Sequence, residues 1–280
     1  MVPQLRQGNT RMPDAVTTQL REYLSSMDQE LGGLLEGLYV HGSIALGAFE
    51  PGLSDVDFIG VLGRRLTKDE IVGLTRVHRA IEEEYACCPL SGIYLQWSEL
   101  GQLEDAIESA PYYHDGILHA SGHNDINLVT WWLLQNRGIG LRGPDPGSLA
   151  YTVDWSVLLN WVRQNLNSYW VRFTRDPVRI AWLFTDYGVQ WTVLGVLRQL
   201  YTFREHGITS KTAAGEYGLA HLPQRWHPLI YEAISIRQRS IRSDYGVGTR
   251  RAAECYRFLK YIIPETNNTF DQSVKRSQVS

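Results

Sequence analysis

Hydrophobic and polar positions in the first half of the chain follow two different periods. From Val16 to Leu31 the apolar residues recur every three or four positions, which predicts an amphipathic helix that ends at Gly32-Gly33. Residues 69–85 repeat this period and predict a second helix. Short apolar runs that suit strands lie at 38–40, 56–62 and 93–97. The predicted order in this half is therefore helix, strand, strand, helix, strand.

The helical period dominates the second half. Runs rich in tryptophan and leucine predict helices at 126–135, 155–170, 178–203, 210–218, 229–242 and 252–263. Six of the nine tryptophans lie beyond residue 150, and we expect them to pack between helices because large aromatic side chains are most often buried. Residues 1–12 are expected to form a loose arm, and the polar last dozen residues are expected to be unstructured.

The change of period points to two domains of different class. A Gly-Pro-Asp-Pro-Gly stretch at 143–147 is the best candidate for a linker between them. We therefore predict an α+β chain in which residues 1–150 form a mixed sheet with helices and residues 151–280 form an all-helical domain.

Composition and charge narrow the possible partners. The 280 residues are 44% hydrophobic and carry a net charge of −3, so the chain is globular and lacks the basic field that nucleic-acid binding requires. No run approaches 18 apolar residues, so no membrane segment is expected. Three cysteines are too few for a disulfide framework, which favours a reducing, cytoplasmic location.

Candidate chemistry is concentrated between residues 41 and 59. Asp55 and Asp57 point to the same face of the predicted strand, where two carboxylates repel each other unless a cation such as Mg²⁺ lies between them. Upstream, Gly42 and Ser43 form a turn whose backbone and hydroxyl can approach phosphate oxygens. Each half alone is typical of an exposed hairpin turn, but the combination predicts a site for a nucleoside triphosphate.

Gly-Ser, followed about eleven residues later by Asp-x-Asp on an apolar strand, resembles the signature of the polymerase β-like nucleotidyltransferases. Within that superfamily the chain resembles the aminoglycoside adenylyltransferases that modify streptomycin and spectinomycin. The C-terminal segments that carry the narrower resemblance are 193–201, 207–214 and 222–230. The resemblance implies an enzyme that uses ATP and Mg²⁺ to transfer AMP to a hydroxyl of a small polycationic or hydroxylated acceptor, releasing pyrophosphate.

The resemblance also assigns roles to individual residues. Asp55 and Asp57 match the metal ligands and are the predicted catalytic residues. The predicted nucleotide-binding residues are Gly42, Ser43, Ser54, Arg198 and Lys211. Two fixed cations, from Arg198 and Lys211, would neutralise the charge that develops on the leaving pyrophosphate. The resemblance thus implies a nucleotidyltransferase domain over 1–150 and a helical domain over 151–280 that closes on substrate and nucleotide.

Three positions depart from the family pattern. Ser91 stands where the streptomycin-modifying enzymes carry a glutamate general base, and Arg237 replaces a tyrosine. The acidic pair before the linker appears as Asp125 and Asn127. We expect another carboxylate to accept the proton, and the candidates are Glu99, Asp186 and Asp57. Two alternatives stay open: a different acceptor, in biosynthesis or protein AMPylation, or a non-catalytic nucleotide-binding protein.

Two weaker patterns do not support a site. His114, His119 and His123 are poorly spaced for a metal, and residues 112–124 are expected to form a flexible loop. The Gly-x-Gly-x-x-Gly pattern at 138–143 is followed at once by prolines, so no helix is available there to receive a dinucleotide.

Overall fold

The computed structural model describes residues 12–240, 245 and 248–277. The chain divides into two compact units, Met1–Val153 and Asp154–Ser280. The loose arm predicted for residues 1–12 lies, apart from Met12, outside the described residues.

The N-terminal unit is built on a six-stranded sheet. Its strands are β1 Leu35–Val40, β2 Val56–Leu62, β3 Leu90–Gln96, β4 Ala110–His114, β5 Ile117–Gly122 and β6 Ile139–Arg142. Their order in the sheet is β5-β4-β3-β2-β1-β6, and only β2 and β3 run parallel. The predicted mixed sheet is confirmed, and β2 begins and ends where its apolar run predicted.

Helices cover both faces of this sheet. They are α1 Asp14–Leu31, α2 Gly42–Ala45, α3 Lys68–Glu84 and α4 Leu128–Arg137. One core lies on the face that carries Phe58 and Tyr94 and contains the apolar side chains of α1 and α3. A second core lies on the opposite face, where Trp131 of α4 packs with Ile59 and Ile93. Because strand side chains alternate, the odd-numbered residues of β2 and β3 belong to the α4 face.

Local signals explain where the two long helices begin and end. Gly32 adopts a left-handed conformation at φ 57°, and its N–H donates to the carbonyl oxygen of Asp28 at 3.1 Å, which ends α1 as predicted. Thr67 and Glu70 form a reciprocal capping box at the start of α3.

The segment between β3 and α4 differs from the prediction. Residues 112–124 do not form a loop, because β4 and β5 pair as an antiparallel hairpin. Asp115 and Gly116 form its two-residue turn, with φ of 49° and 75°. An Asp-Gly pair with both residues in the left-handed region is typical of the tight turn that matches strand twist. The prediction of a flexible loop over these residues is therefore wrong.

The C-terminal unit is helical. Its helices are α5 Trp155–Ser168, α6 Pro177–Trp182, α7 Asp186–Glu205, α8 Lys211–His221, α9 His227–Arg237 and α10 Thr249–Ser277. α7 packs against α5, α8, α9 and α10 and forms the centre of the unit. The single helix predicted over 178–203 is two helices, because Thr185 caps a new one and accepts a hydrogen bond from the N–H of Gly188 at 2.9 Å.

Two further expectations about this unit need correction. Only Trp170 and Trp226 of its tryptophans are buried, and Trp182 is 39% exposed. Residues 269–277 are not unstructured, because α10 continues to Ser277, and residues 278–280 lie outside the described part of the chain. The apolar face of α10, which includes Phe270 packed edge-on against Phe203, is buried, although most residues near the end of this helix are polar. Within the described part of the chain, no helix has the length and apolar character needed to cross a membrane.

Candidate active site

The site begins where β1 ends in a tight turn. His41 is buried, and its backbone N–H donates to the carbonyl oxygen of Asp57 at 3.0 Å, which continues the pairing of β1 with β2. Gly42 follows at φ 60° and starts the four-residue helix α2. Only glycine adopts this backbone conformation without strain, so the residue type is set by the turn.

The Asp57 side chain packs directly against this glycine. A Cβ atom on Gly42 would lie 1.9 Å from Asp57 Oδ2. The space that a larger residue would fill is therefore occupied by a carboxylate oxygen. The turn and the aspartate, which are 15 positions apart in sequence, therefore pack directly against each other.

The two predicted serines behave differently. The hydroxyl of Ser43 is buried, and no described residue forms a hydrogen bond with it. Burying a hydroxyl without a hydrogen-bond partner costs about 1–3 kcal/mol, and a hydrogen bond to a ligand oxygen can offset this cost. Ser54 Oγ instead accepts a hydrogen bond from the backbone N–H of Glu50 at 3.2 Å and closes the loop before β2.

Asp55 is exposed and directly precedes β2, two residues before the half-buried Asp57. Among the described residues no three His, Cys, Asp or Glu side chains converge into a ready-made metal site. A pair of carboxylates is the donor set of a hard cation that completes its coordination with substrate phosphates and water, as Mg²⁺ does. The residues present therefore fit such a cation.

A small pocket on the α4 face brings Asp57 together with other polar groups. Its polar lining comes from His41, Asp57, Ser91, Asn124, Asp125 and Thr130, and Trp131 closes one side. Burial lowers the pKa of His41, and the negative charge of Asp125 partly opposes that effect. Burial therefore favours the neutral form of His41. Asp125 adds a third carboxylate to those of Asp55 and Asp57 in this region.

Ser91, the second residue of β3, lies on the same face. It pairs with Asp57 in the parallel register of β2 and β3, and it is buried. Its hydroxyl forms a hydrogen bond with Nδ1 of His114 at 3.1 Å. His114 was not predicted as a site residue because residues 112–124 were expected to form a loop. The Asp115-Gly116 turn signal would have placed this histidine at the end of a strand.

Two of the carboxylates that were candidates to replace the missing glutamate form ion pairs. Glu99 forms an ion pair with Arg65 and accepts a hydrogen bond from the N–H of Gln96 at 2.7 Å, beyond the far end of β3 from Ser91. Asp186 belongs to the C-terminal unit, where it lies 2.7 Å from the guanidinium of Arg251. Neither residue is among those that line the pocket described above.

Asn127, one of the other departures from the family pattern, has a local structural role. Asn127 caps α4, and its side-chain oxygen accepts hydrogen bonds from the N–H groups of Val129 and Thr130, each at 3.0 Å. Its amide nitrogen donates to Asp125 Oδ1 at 3.0 Å. Arg237 is buried in the C-terminal unit near the end of α9.

The two predicted phosphate-binding cations lie close together within the C-terminal unit. Arg198 Nε donates to the carbonyl oxygen of Thr209 at 3.0 Å, which holds its side chain against the segment before α8. Lys211 is the first residue of α8, and its Nζ lies 4.4 Å from the ring centre of Trp191. Both side chains therefore lie near the start of α8.

Comparisons with known proteins agree with this description. Residues 181–261 match the family described as aminoglycoside adenylyltransferase, C-terminal domain. The chain is 20% identical over 263 residues to spectinomycin 9-adenylyltransferase of Campylobacter jejuni, a match that covers 90% of this chain and 96% of that protein. Its fold matches that of spectinomycin adenyltransferase AAD(9) from Enterococcus faecialis, solved with ATP and spectinomycin. That match has a TM-score of 0.67 and 15% identity, and it covers 90% of this chain and 99% of the other.

The N-terminal mixed sheet and the helical C-terminal unit share the fold of this spectinomycin adenyltransferase, which is a nucleotidyltransferase. Within that class, the comparisons confirm the resemblance to the aminoglycoside adenylyltransferases that the motifs at residues 41–59 and in the C-terminal half indicated.

Proposed function

We propose that this protein uses ATP and Mg²⁺ to transfer AMP to a hydroxyl of an aminoglycoside-like acceptor, with release of pyrophosphate. The observation that carries the proposal is the Asp57 carboxylate seated against the α-carbon of Gly42, beside a Ser43 hydroxyl that has no hydrogen-bond partner among the described residues. This arrangement supports the proposal because a carboxylate that can bind a cation lies beside a turn whose hydroxyl can donate to a phosphate oxygen. The relatives that match over nine tenths of the chain are spectinomycin adenylyltransferases.

In this proposal Asp55 and Asp57 hold the cation. When bound, Mg²⁺ would neutralise phosphate charge and stabilise the pyrophosphate leaving group. Gly42 keeps the Asp57 carboxylate in place, and Ser43 donates its hydroxyl hydrogen to a phosphate oxygen. Phosphoryl-type transfer depends mainly on positioning and charge neutralisation, so these fixed groups are the core of the catalyst.

The remaining nucleotide contacts are proposed for Ser54, Arg198 and Lys211. Ser54 acts by closing the loop that leads into Asp55. The two cations at the start of α8 supply the positive charge that a triphosphate requires. For the acceptor, the carboxylates of Asp57 and Asp125 favour a cationic, hydroxylated molecule. Spectinomycin and streptomycin are therefore the first acceptors to test.

The test is mass spectrometry of acceptors incubated with the protein, ATP and Mg²⁺. We expect one AMP unit to be added to at least one aminoglycoside. Asp57→Asn should lower the rate by about 10²–10³-fold, because a fixed charge is removed from the transition state. Asp105→Asn is the matched control and should leave the rate unchanged, since this exposed aspartate lies in a short helical turn and is not among the residues that line the pocket.

Three results would contradict the proposal. AMP label on cell proteins and on no small molecule would indicate a different acceptor. Tight ATP binding without transfer over a broad acceptor panel would indicate a non-catalytic nucleotide-binding protein. Equal activity of the Asp57→Asn and Asp105→Asn variants would show that the aspartate pair is not the catalytic centre.

A further inference from the structure

Three neighbouring strands place Asp57, Ser91 and His114 in one row. Asp57 of β2 pairs with Ser91 of β3 in the parallel register. The antiparallel register of β3 with β4 pairs Gly92 with Tyr113, which sets Ser91 opposite His114. Residues paired across strands point to the same face of a sheet. The row therefore runs from the metal-binding edge, through a buried hydroxyl, to an imidazole.

The hydrogen bond between Ser91 and His114 has a preferred direction, set by the carboxylate beside His114. Ser91 Oγ lies 3.1 Å from His114 Nδ1, and His114 Nε2 lies 3.5 Å from Asp115 Oδ2. The carboxylate of Asp115 favours the tautomer in which Nε2 carries the hydrogen. Nδ1 is then an acceptor, and the hydroxyl of Ser91 donates to it. The serine oxygen keeps its lone pairs for a further donor on the pocket side.

We propose that Ser91 and His114 together replace the missing carboxylate as the proton acceptor of the transfer reaction. The inference rests on the proposed function. Ser91 is the group that touches the acceptor hydroxyl, and His114 acts through Ser91. Serine alone cannot accept an additional proton at neutral pH, but a serine that passes its own proton to an imidazole can accept one.

The transfer step makes one bond to phosphorus and breaks one. The acceptor oxygen forms a bond to the α-phosphorus of ATP, and the bond from that phosphorus to the bridging oxygen of the β-phosphate breaks. Pyrophosphate leaves with the electron pair of the broken bond. The acceptor's proton moves to Ser91 Oγ as the proton of Ser91 moves to His114 Nδ1. The resulting imidazolium is stabilised by Asp115 and later loses its proton to solvent.

Other carboxylates are less well placed for this role. Glu99 lies beyond Gln96, roughly 17 Å along β3 from Ser91 at the usual strand rise, and it is paired with Arg65. Asp125 lines the pocket, but its side chain accepts a hydrogen bond from Asn127 at 3.0 Å. Asp125 remains the best competitor, and the experiment includes it.

The first variant is His114→Gln. The side chain of His114 is 45% exposed, so the change should leave the fold intact. We expect kcat for AMP transfer to fall by about 10²-fold with little change in KM, because general-base catalysis contributes about 10²–10⁴-fold. His119→Gln is the control, since His119 lies on the same hairpin and stacks on Tyr112 instead. It should retain the wild-type rate.

A pH profile and a rescue separate proton transfer from a structural role. The groups that face His114 are Ser91 from β3, Asp115 from the turn and the non-ionisable Ile117 from β5. The pH profile of kcat in wild type should contain a limb that His114→Gln lacks, because glutamine has no ionisable group at this position. Ser91→Glu in the His114→Gln background should restore kcat by at least about tenfold, because the carboxylate then accepts the proton directly.

The outcomes distinguish this inference from the proposed function. A wild-type protein that transfers no AMP to any acceptor would overturn both. An active wild-type protein with a His114→Gln variant within twofold of its kcat would overturn the proton path alone. A large loss in Asp125→Asn together with an unchanged His114→Gln would also overturn it and would assign the base to Asp125.

Discussion

Replacing Gly42 by alanine separates the geometry of the candidate site from the stability of the fold. The added Cβ atom would lie 1.9 Å from Asp57 Oδ2, so the two atoms must separate by at least about 1 Å. The left-handed backbone at φ 60° adds a strain of about 1–2 kcal/mol, partly offset by the lower entropy of the unfolded alanine chain. A displacement of about 1 Å in a reacting group can lower a rate by about 10²-fold.

Gly32→Ala provides a matched control for this prediction. Gly32 has nearly the same backbone, at φ 57°, but no atom lies within 4 Å of the position that a Cβ would take. Both variants should therefore lose a similar free energy of unfolding, about 1 kcal/mol, in urea titrations. Only Gly42→Ala should lose kcat/KM for AMP transfer, by about 10²-fold. A Gly42→Ala activity within about threefold of wild type, or an equal loss of activity in both variants, would refute this prediction.

Three further predictions concern stability. Gly195→Ala should lower the free energy of unfolding by about 1–3 kcal/mol in urea titrations, because the new Cβ would meet the ring of Trp170 at 2.0 Å; an unchanged midpoint would contradict this. Burial lowers the pKa of His78 from 6.5 to about 3, so below pH 6.5 the unfolded chain binds a proton that the folded one does not. From pH 7 to pH 5 wild type should therefore lose about 2 kcal/mol more stability than His78→Phe, and parallel pH curves would refute this. Glu232→Ala should cost about 1–3 kcal/mol in urea unfolding, since the buried Arg251 loses a 2.9 Å partner and keeps Asp186 at 2.7 Å; a loss below about 0.5 kcal/mol would argue against it.

Strong local periodicity predicted the elements that need no long-range information. β2 was predicted residue for residue because a continuous apolar run defines a strand buried on both faces. α1 was predicted because its apolar stripe and its terminal glycine agree. The interruption between α6 and α7 was missed, because the cap at Thr185 is a local signal inside a continuous helical period.

The candidate site was predictable only where it depends on residues that are close together in the sequence. The spacing of Asp55 and Asp57 and the Gly-Ser turn are visible in the sequence, and the structure brings Gly42 and Asp57 into contact. The partnership of Ser91 with His114 depends on the register between two strands, which one sequence does not specify. The roles of the site residues stay predictions until activity is measured.

Transfer of label from ATP to spectinomycin tests the central claim most directly. Two reactions with Mg²⁺ should be run in parallel, one with ATP labelled at the α-phosphate and one with ATP labelled at the γ-phosphate. We predict that the acceptor gains only the α-label and that the γ-label is released as pyrophosphate. A γ-label on the acceptor, or γ-label released as inorganic phosphate while the acceptor stays unmodified, would contradict this prediction.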